Sequence, residues 1–359
     1  MGGNASVQTR TRRHIPGLTG LRGIGALWVV LYHMAYDVDI PVIGKGYLGV
    51  DLFFILSGFV LCYVHPDQVG TVRSYFAFLT LRLARIYPLH LLMMGVLGLI
   101  VLGLPGFADT YPMAERRFGA DAFVASLLLV QNWAYWLPGC WNAPAWSLSA
   151  EWFAYLTFPV FQVLTQRWRG TFMPLVLSAA GFLGLYLVLT MKGSSLSAGT
   201  PGMMRMAAEF GAGCLLYRAW ENGLSWPPGP ATGVAIGLLT VGLLVPGAEA
   251  IALPALLIIV MLAIQQNGWL ASLLETPTIV WLGEISYSLY LTHWTILQLS
   301  NWLLRDVSMP APKLLLWSTG LLAVCILAAA LTYRWFERPS RAWARALGRP
   351  ARGHATQSV

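Results

Sequence analysis

LTGLRGIGALWVVLYHMAY, residues 18–36, is an apolar segment long enough to enter a bilayer, and it carries two ionisable side chains, Arg22 and His33. The two lie eleven residues apart, almost three helical turns, so guanidinium and imidazole share a helix face about 16 Å apart along the axis. Arg10, Arg12 and Arg13 precede the segment. Placing Arg22 at the cytoplasmic lipid boundary therefore puts His33 near the middle of the bilayer, where an ionisable group is costly and marks a functional site by default. The segment has no small-residue cleavage site and further apolar runs follow it, so it reads as a retained helix rather than a removed signal peptide.

The rest of the chain has the same character. Hydrophobic residues make up 57% of the 359 and charged residues 11%, less than half the charged share of a soluble domain. Mean hydropathy is +0.62. The net charge of +8 comes from Lys and Arg in the termini and a few short loops, a positive-inside pattern that argues against a nucleic-acid groove. Cys62, Cys140, Cys214 and Cys325 lack metal-type spacing and imply neither a disulfide framework nor a zinc site.

Apolar runs fall near 18–36, 47–64, 86–104, 122–137, 147–166, 172–191, 203–219, 231–246, 250–266, 281–303 and 313–335. Eleven spans would put the ends on opposite sides, yet Arg338, Arg341, Arg345, Arg349 and Arg352 make the C-terminus as basic as the N-terminus. The run 122–137 is short of the roughly 20 residues a span needs. It also contains Gln131 and Asn132 before a break at Leu137-Pro138-Gly139, and is expected to be re-entrant or interfacial. The expectation is an all-α, polytopic membrane protein with about ten transmembrane helices and cytoplasmic N- and C-termini. Residues 1–16 form a basic N-terminal segment, 17–336 the membrane domain, and 337–359 a basic tail. The 66–85 loop, with Arg73, Arg82 and Arg85, and the pair Arg167 and Arg169 then face the cytoplasm, and the 105–121 loop with Asp109, Glu115 and Asp121 faces outward.

Four further segments are too polar for their surroundings. In Gly49-Val50-Asp51-Leu52-Phe53-Phe54 through Ser57-Gly58-Phe59, Asp51 sits near the outer boundary and the glycines suit close helix packing. Arg82 and Arg85 are i,i+3 neighbours whose planar guanidiniums suit phosphate, although positive-inside anchoring explains them equally well. Trp146-Ser147-Leu148 opens a span with an interfacial aromatic, and Glu151 follows at lipid depth without a cation nearby in sequence. In Gly283-Glu284-Ile285-Ser286-Tyr287 through His293, Ser286, Tyr290 and His293 share a face. His293 lies about 15 Å in by residue count, at the level expected for His33.

Together these segments resemble the membrane acyltransferase-3 family. The resemblance rests on Arg22 and His33 with ten residues between, the 49–59 stretch, Arg82 and Arg85 before Ile86-Tyr87-Pro88, Trp146-Ser147-Leu148 with Glu151, Ser286-Tyr287 to His293, and Phe336-Glu337-Arg338-Pro339. It covers residues 16–340. It implies transfer of an acyl group, acetyl first, from cytoplasmic acyl-CoA to a hydroxyl of a cell-surface or secreted carbohydrate or lipid-linked glycan, in a bacterial cytoplasmic (inner) membrane. On this reading His33 is general base or acyl acceptor, Arg22 positions the donor, Glu151 orients His33, and Tyr290 or His293 polarises the thioester. Arg82, Arg85, Ser286 and Tyr287 hold acetyl-CoA, and Asp51 and Trp146 bind the acceptor. No metal or nucleic acid is expected; membrane lipid and polysaccharide assembly machinery are the expected partners. Longer members carry an extra soluble esterase-like domain, which the 24 residues after the last run do not provide. An ion-coupled transporter, a structural assembly subunit, and a non-carbohydrate acceptor such as a macrolide are the competing readings.

Overall fold

The computed structural model describes residues 13–34, 40–66, 70–111, 113–134, 140–168, 170–194, 196, 202–307 and 309–347. Every regular element among the described residues is helical. The long helices are α1 (Pro16–Met34), α2 (Leu48–Val64), α3 (Val72–Gly103), α4 (Trp146–Gln166), α5 (Phe172–Met191), α6 (Gly202–Glu221), α7 (Pro228–Leu244), α8 (Ala252–Gln265), α9 (Ser286–Leu304) and α10 (Ala311–Thr332). A π-helical stretch, Tyr333–Glu337, carries α10 into α11 (Arg338–Leu347). Arg10, Arg12, Arg169, Arg349 and Arg352, expected to mark the cytoplasmic face, lie outside the described residues.

Three helical stretches, Val72–Gly103, Phe172–Met191 and the continuous Pro312–Trp343, are long and apolar enough to cross a bilayer by length and composition. Two of them show bare leucine outward: Leu99 and Leu102 on the first and Leu316 on the third are 75%, 87% and 74% exposed. Apolar faces of this extent suit lipid tails, not water. Among the described residues of the run expected at 122–137 the helix is Ala120–Leu127, about 12 Å long and far short of a bilayer, and the expected break at Leu137-Pro138-Gly139 lies outside the described residues.

Helix ends differ from the hydropathy runs where polar chemistry sets them. The 66–85 segment, expected as a loop, is helical from Val72, because Thr71 and Ser74 form a reciprocal capping box. Arg82 and Arg85 therefore ride on a helix. The run 281–303 is broken at Ile285 between the short helix Pro277–Glu284 and α9. At the expected boundary 336/337 the helix continues, and Glu337 is buried.

Glycines set how closely the site-bearing helices approach. A Cβ on Gly58 would lie 2.1 Å from the Phe210 carbonyl, and one on Gly213 would lie 2.1 Å from that of Ile55. The crossing of α2 with α6 is thus backbone against backbone. Gly283 meets Thr19 of α1 as closely, at 1.9 Å, which docks the start of α9 beside Arg22. Residues of α1, α2, α3, α4 and α9 surround an interior cavity.

Candidate active site

The cavity, of about 130 Å³, is lined by side chains from these five helices. Small for a whole ligand, it has room for a slender chain. Arg22 enters it from α1, Arg82 and Arg85 from α3, Glu151 from α4, and Ser286, Tyr287 and Tyr290 from α9. The structure thus gathers seven of the eleven residues expected at the site. Ser57, from the 49–59 stretch, joins them.

One end of the cavity is strongly basic. Arg22 faces Arg85 and Arg341, with Glu337 and Glu151 as the neighbouring negative charges. Arg82 is fixed by His65, whose Nε2 lies 2.9 Å from its NH2, and by the face of Phe78. Arg341 is paired with Glu337, whose other oxygen accepts from Ser288. Tyr287 donates to the Ile86 carbonyl at 2.5 Å, two residues before Pro88, which lies inside the continuous α3. Guanidiniums converging from three elements, with fewer carboxylates than cations among them, form a site for a polyanion.

Glu151 serves a different partner from the one expected. Its Oε1 accepts from Ser57 Oγ at 3.1 Å and from Tyr155 Oη at 2.5 Å, and the ring contact of His33 is instead with His293. The helix directions explain this. Glu151 lies five residues inside α4 and Ser57 nine inside α2, so both sit deeper along those helices than Trp146 and Asp51, which lie near their starts.

His33 Nδ1 and His293 Nε2 are 3.1 Å apart, and His293 Nδ1 is 3.1 Å from the Leu289 carbonyl. A carbonyl only accepts, so His293 Nδ1 carries a hydrogen. In the neutral pair His293 Nε2 is then an acceptor, and the bond between the rings is donated by His33 Nδ1–H. That assignment leaves His33 Nε2 with its lone pair, as a general base requires. Tyr32 and Trp294 flank the His33 ring, each with centroid 5.0 Å away. Tyr290 stands between this pair and the cavity, 6.0 Å from the His293 ring, with its hydroxyl 2.7 Å from Ser147 Oγ and donating to the Pro144 carbonyl at 3.0 Å.

Asp51 and Trp146, expected to bind the acceptor, both lie against Arg205. Asp51 is fully buried and binds Arg205 in a two-point pair, 3.1 Å to Nε and 2.7 Å to NH2. Trp146 lays its ring against the same guanidinium, 5.1 Å away. Neither lines the cavity. Glu209, one turn along α6, adds a second buried carboxylate 4.0 Å from Arg205 Nε. The signal was present in sequence as an Arg and a Glu at i,i+4 within the apolar run 203–219. Arg341 was likewise readable as the residue one turn beyond Glu337.

The profile of the acyltransferase domain family matches residues 15–342. Acyltransferase MdmB of Streptomyces mycarofaciens is 30% identical over 93% of this chain and 93% of its own length. A putative O-acetyltransferase of Staphylococcus aureus (strain COL) is 25% identical over 92% of this chain, and peptidoglycan O-acetyltransferase OatA of Listeria monocytogenes is 24% identical over 92%. The chain spans 58% and 56% of the length of those two. No solved structure matches.

Proposed function

Because this chain belongs to the acyltransferase-3 family of membrane acyltransferases, we propose that it carries an acyl group, acetyl first, from cytoplasmic acyl-CoA to a hydroxyl of a surface or secreted carbohydrate. One observation carries the reading: a basic cavity mouth and a histidine pair lie at successive levels of the same helices, Arg22 and His33 on α1, Tyr287 and His293 on α9. The eleven-residue offset on α1 spans about 16 Å. The pantetheine arm reaches about 15–20 Å, so phosphates held by Arg82, Arg85 and Arg22 set the thioester near the histidines.

In this mechanism His33 Nε2 takes the proton of the acceptor hydroxyl as its oxygen attacks the thioester carbonyl. The new C–O bond forms, the C–S bond breaks, and the proton passes from His33 to the departing CoA sulfur. His293 holds the tautomer and orientation of His33. Tyr290, its one hydroxyl hydrogen engaged by the Pro144 carbonyl, lies at the cavity end where the carbonyl arrives and frames it with its ring. Glu151, bound to Ser57 and Tyr155, offsets part of the arginine charge and shapes the donor channel; Ser286 and Tyr287 complete its wall.

An acceptor sugar is favoured by the Tyr32 and Trp294 rings flanking His33, since aromatic faces suit the C–H faces of a pyranose. The relative named as a peptidoglycan O-acetyltransferase points to the same acceptor class. We place the chain as a multi-pass protein of the bacterial cytoplasmic membrane with ten spans and both ends cytoplasmic. Ten helices of 14 residues or more among the described residues and the basic ends support that count.

Replacing Arg82 and Arg85 together by Gln is expected to raise the KM for acetyl-CoA about 10–100-fold, the loss of two charge-assisted phosphate contacts. kcat at saturating donor should fall far less. Label transfer from radioactive acetyl-CoA in proteoliposomes measures both, and an unchanged KM would remove the donor assignment.

A further inference from the structure

Between the basic cavity and the histidine pair stands a wall of two aromatic rings, Phe53 and Tyr290, both lining the cavity. They meet edge to face with centroids 5.8 Å apart. Tyr290 is held by two hydroxyl contacts and is 5% exposed, so its position is fixed. Phe53 is held by packing alone. Its ring lies against Gly25, where a Cβ would come within 3.1 Å of it, and it also packs against the cluster of Ala26, Val30 and Leu289. Gly25 is one turn from Arg22 in the direction of His33, so the ring sits on the route from the donor phosphates to the base.

We propose that Phe53 is the acyl-length stop of this enzyme, its ring filling the space beyond the thioester carbonyl into which any acyl chain longer than acetyl must project. The proposal rests on the acyl-CoA reading given above and deepens it to a specificity. For the carbonyl to meet an oxygen activated at His33 it must lie at the Phe53 and Tyr290 end of the cavity. The acyl tail then points at the wall rather than back along the pantetheine arm. Tyr290 cannot retreat without losing both of its hydrogen bonds, so the volume available is set by residue 53. Gly25 contributes by its lack of a side chain, which lets the ring edge approach α1 closely.

The test is binding of unacylated CoA, acetyl-CoA, butyryl-CoA and hexanoyl-CoA to the full-length protein in detergent, for wild type, Phe53→Leu and Phe53→Ala. Wild type is expected to bind butyryl-CoA at least about tenfold more weakly than acetyl-CoA, the scale of discrimination that one or two methylenes give in a closed pocket. Phe53→Leu should narrow that ratio and Phe53→Ala should bring it to within about twofold or reverse it, with binding of unacylated CoA unchanged in all three. Equal binding of acetyl- and butyryl-CoA by wild type, or a ratio untouched by either substitution, overturns the proposal. If Phe53→Ala does not fold, Phe53→Leu, which keeps most of the packing, decides the outcome. Failure of wild type to bind unacylated CoA would instead overturn the donor reading, a separate result.

Discussion

Replacing His33 by Ala lowers acyl transfer at saturating donor by about 10²–10⁴-fold, the usual contribution of a positioned general base, while membrane insertion and CoA binding persist. Their persistence follows from the geometry. His33 is one residue from the end of α1, partly exposed, and does not line the donor cavity, so its loss leaves neither a core void nor an orphaned phosphate contact. The neighbouring position makes the prediction sharper. Gln in place of His293 still offers an oxygen to accept from His33 Nδ1–H and keeps the tautomer. Leu offers nothing and lets the imidazole turn. His293→Leu is therefore expected to approach the His33→Ala loss and His293→Gln to retain a substantial part of the activity, with the acid limb of the pH–rate profile, where the base is protonated, preserved only in the latter. Rates come from label transfer and folding from size-exclusion chromatography. Equal loss in both His293 variants would reduce that residue to packing.

The second large effect lies away from the cavity, at Arg205→Ala. Arg205 is the largest fully buried side chain in the described structure, and it faces two carboxylates, Asp51 and Glu209, that are both 0% exposed. Glu209 lies against Asp51 and 4.0 Å from Arg205 Nε, so the guanidinium is the main compensation for the two acids together. Removing one partner of a buried pair leaves an uncompensated charge and costs about 3–5 kcal/mol, a large part of the total stability of most folded proteins. The variant should fail to give monodisperse protein in detergent or should melt far below wild type. Arg205→Met combined with Asp51→Asn and Glu209→Gln removes the charges on both sides and should recover much of the loss. A melting temperature for Arg205→Ala within a degree or two of wild type would show that the network is not what locks α2 to α6.

All-helical architecture was legible because hydropathy alone reports it: eleven apolar runs leave almost no room for strands. Helix boundaries were not, where a polar signal sets them. The basic, moderately polar turns from Val72 to Arg85 look like loop on a hydropathy scale, yet Thr71 and Ser74 cap them into the same helix as the apolar part. Counting residues from the segment ends was enough to set His33 and His293 at one level, because rise per residue is constant in a helix. Partner choice was beyond that method. Glu151 and Asp51 are both acids near the start of an apolar run, and sequence gives no reason to send one to Ser57 and Tyr155 and the other to Arg205. That division depends on where α6 crosses α2, which Gly58 and Gly213 decide through backbone contact 155 residues apart in sequence. Arg205 and Glu209 were hidden in plain view by the apolar residues around them.

The account stands or falls on a donor held at the arginine face delivering its acyl group at His33. Proteoliposomes of wild type, His33→Ala and the Arg82→Gln/Arg85→Gln pair, given acetyl-CoA labelled in the acetyl group together with peptidoglycan fragments and extracted surface polysaccharide, measure this directly. The expected result is label in the carbohydrate fraction with wild type, its near absence with His33→Ala at any donor concentration, and its recovery at high donor concentration with the arginine pair. Transfer by His33→Ala at the wild-type rate would contradict the account.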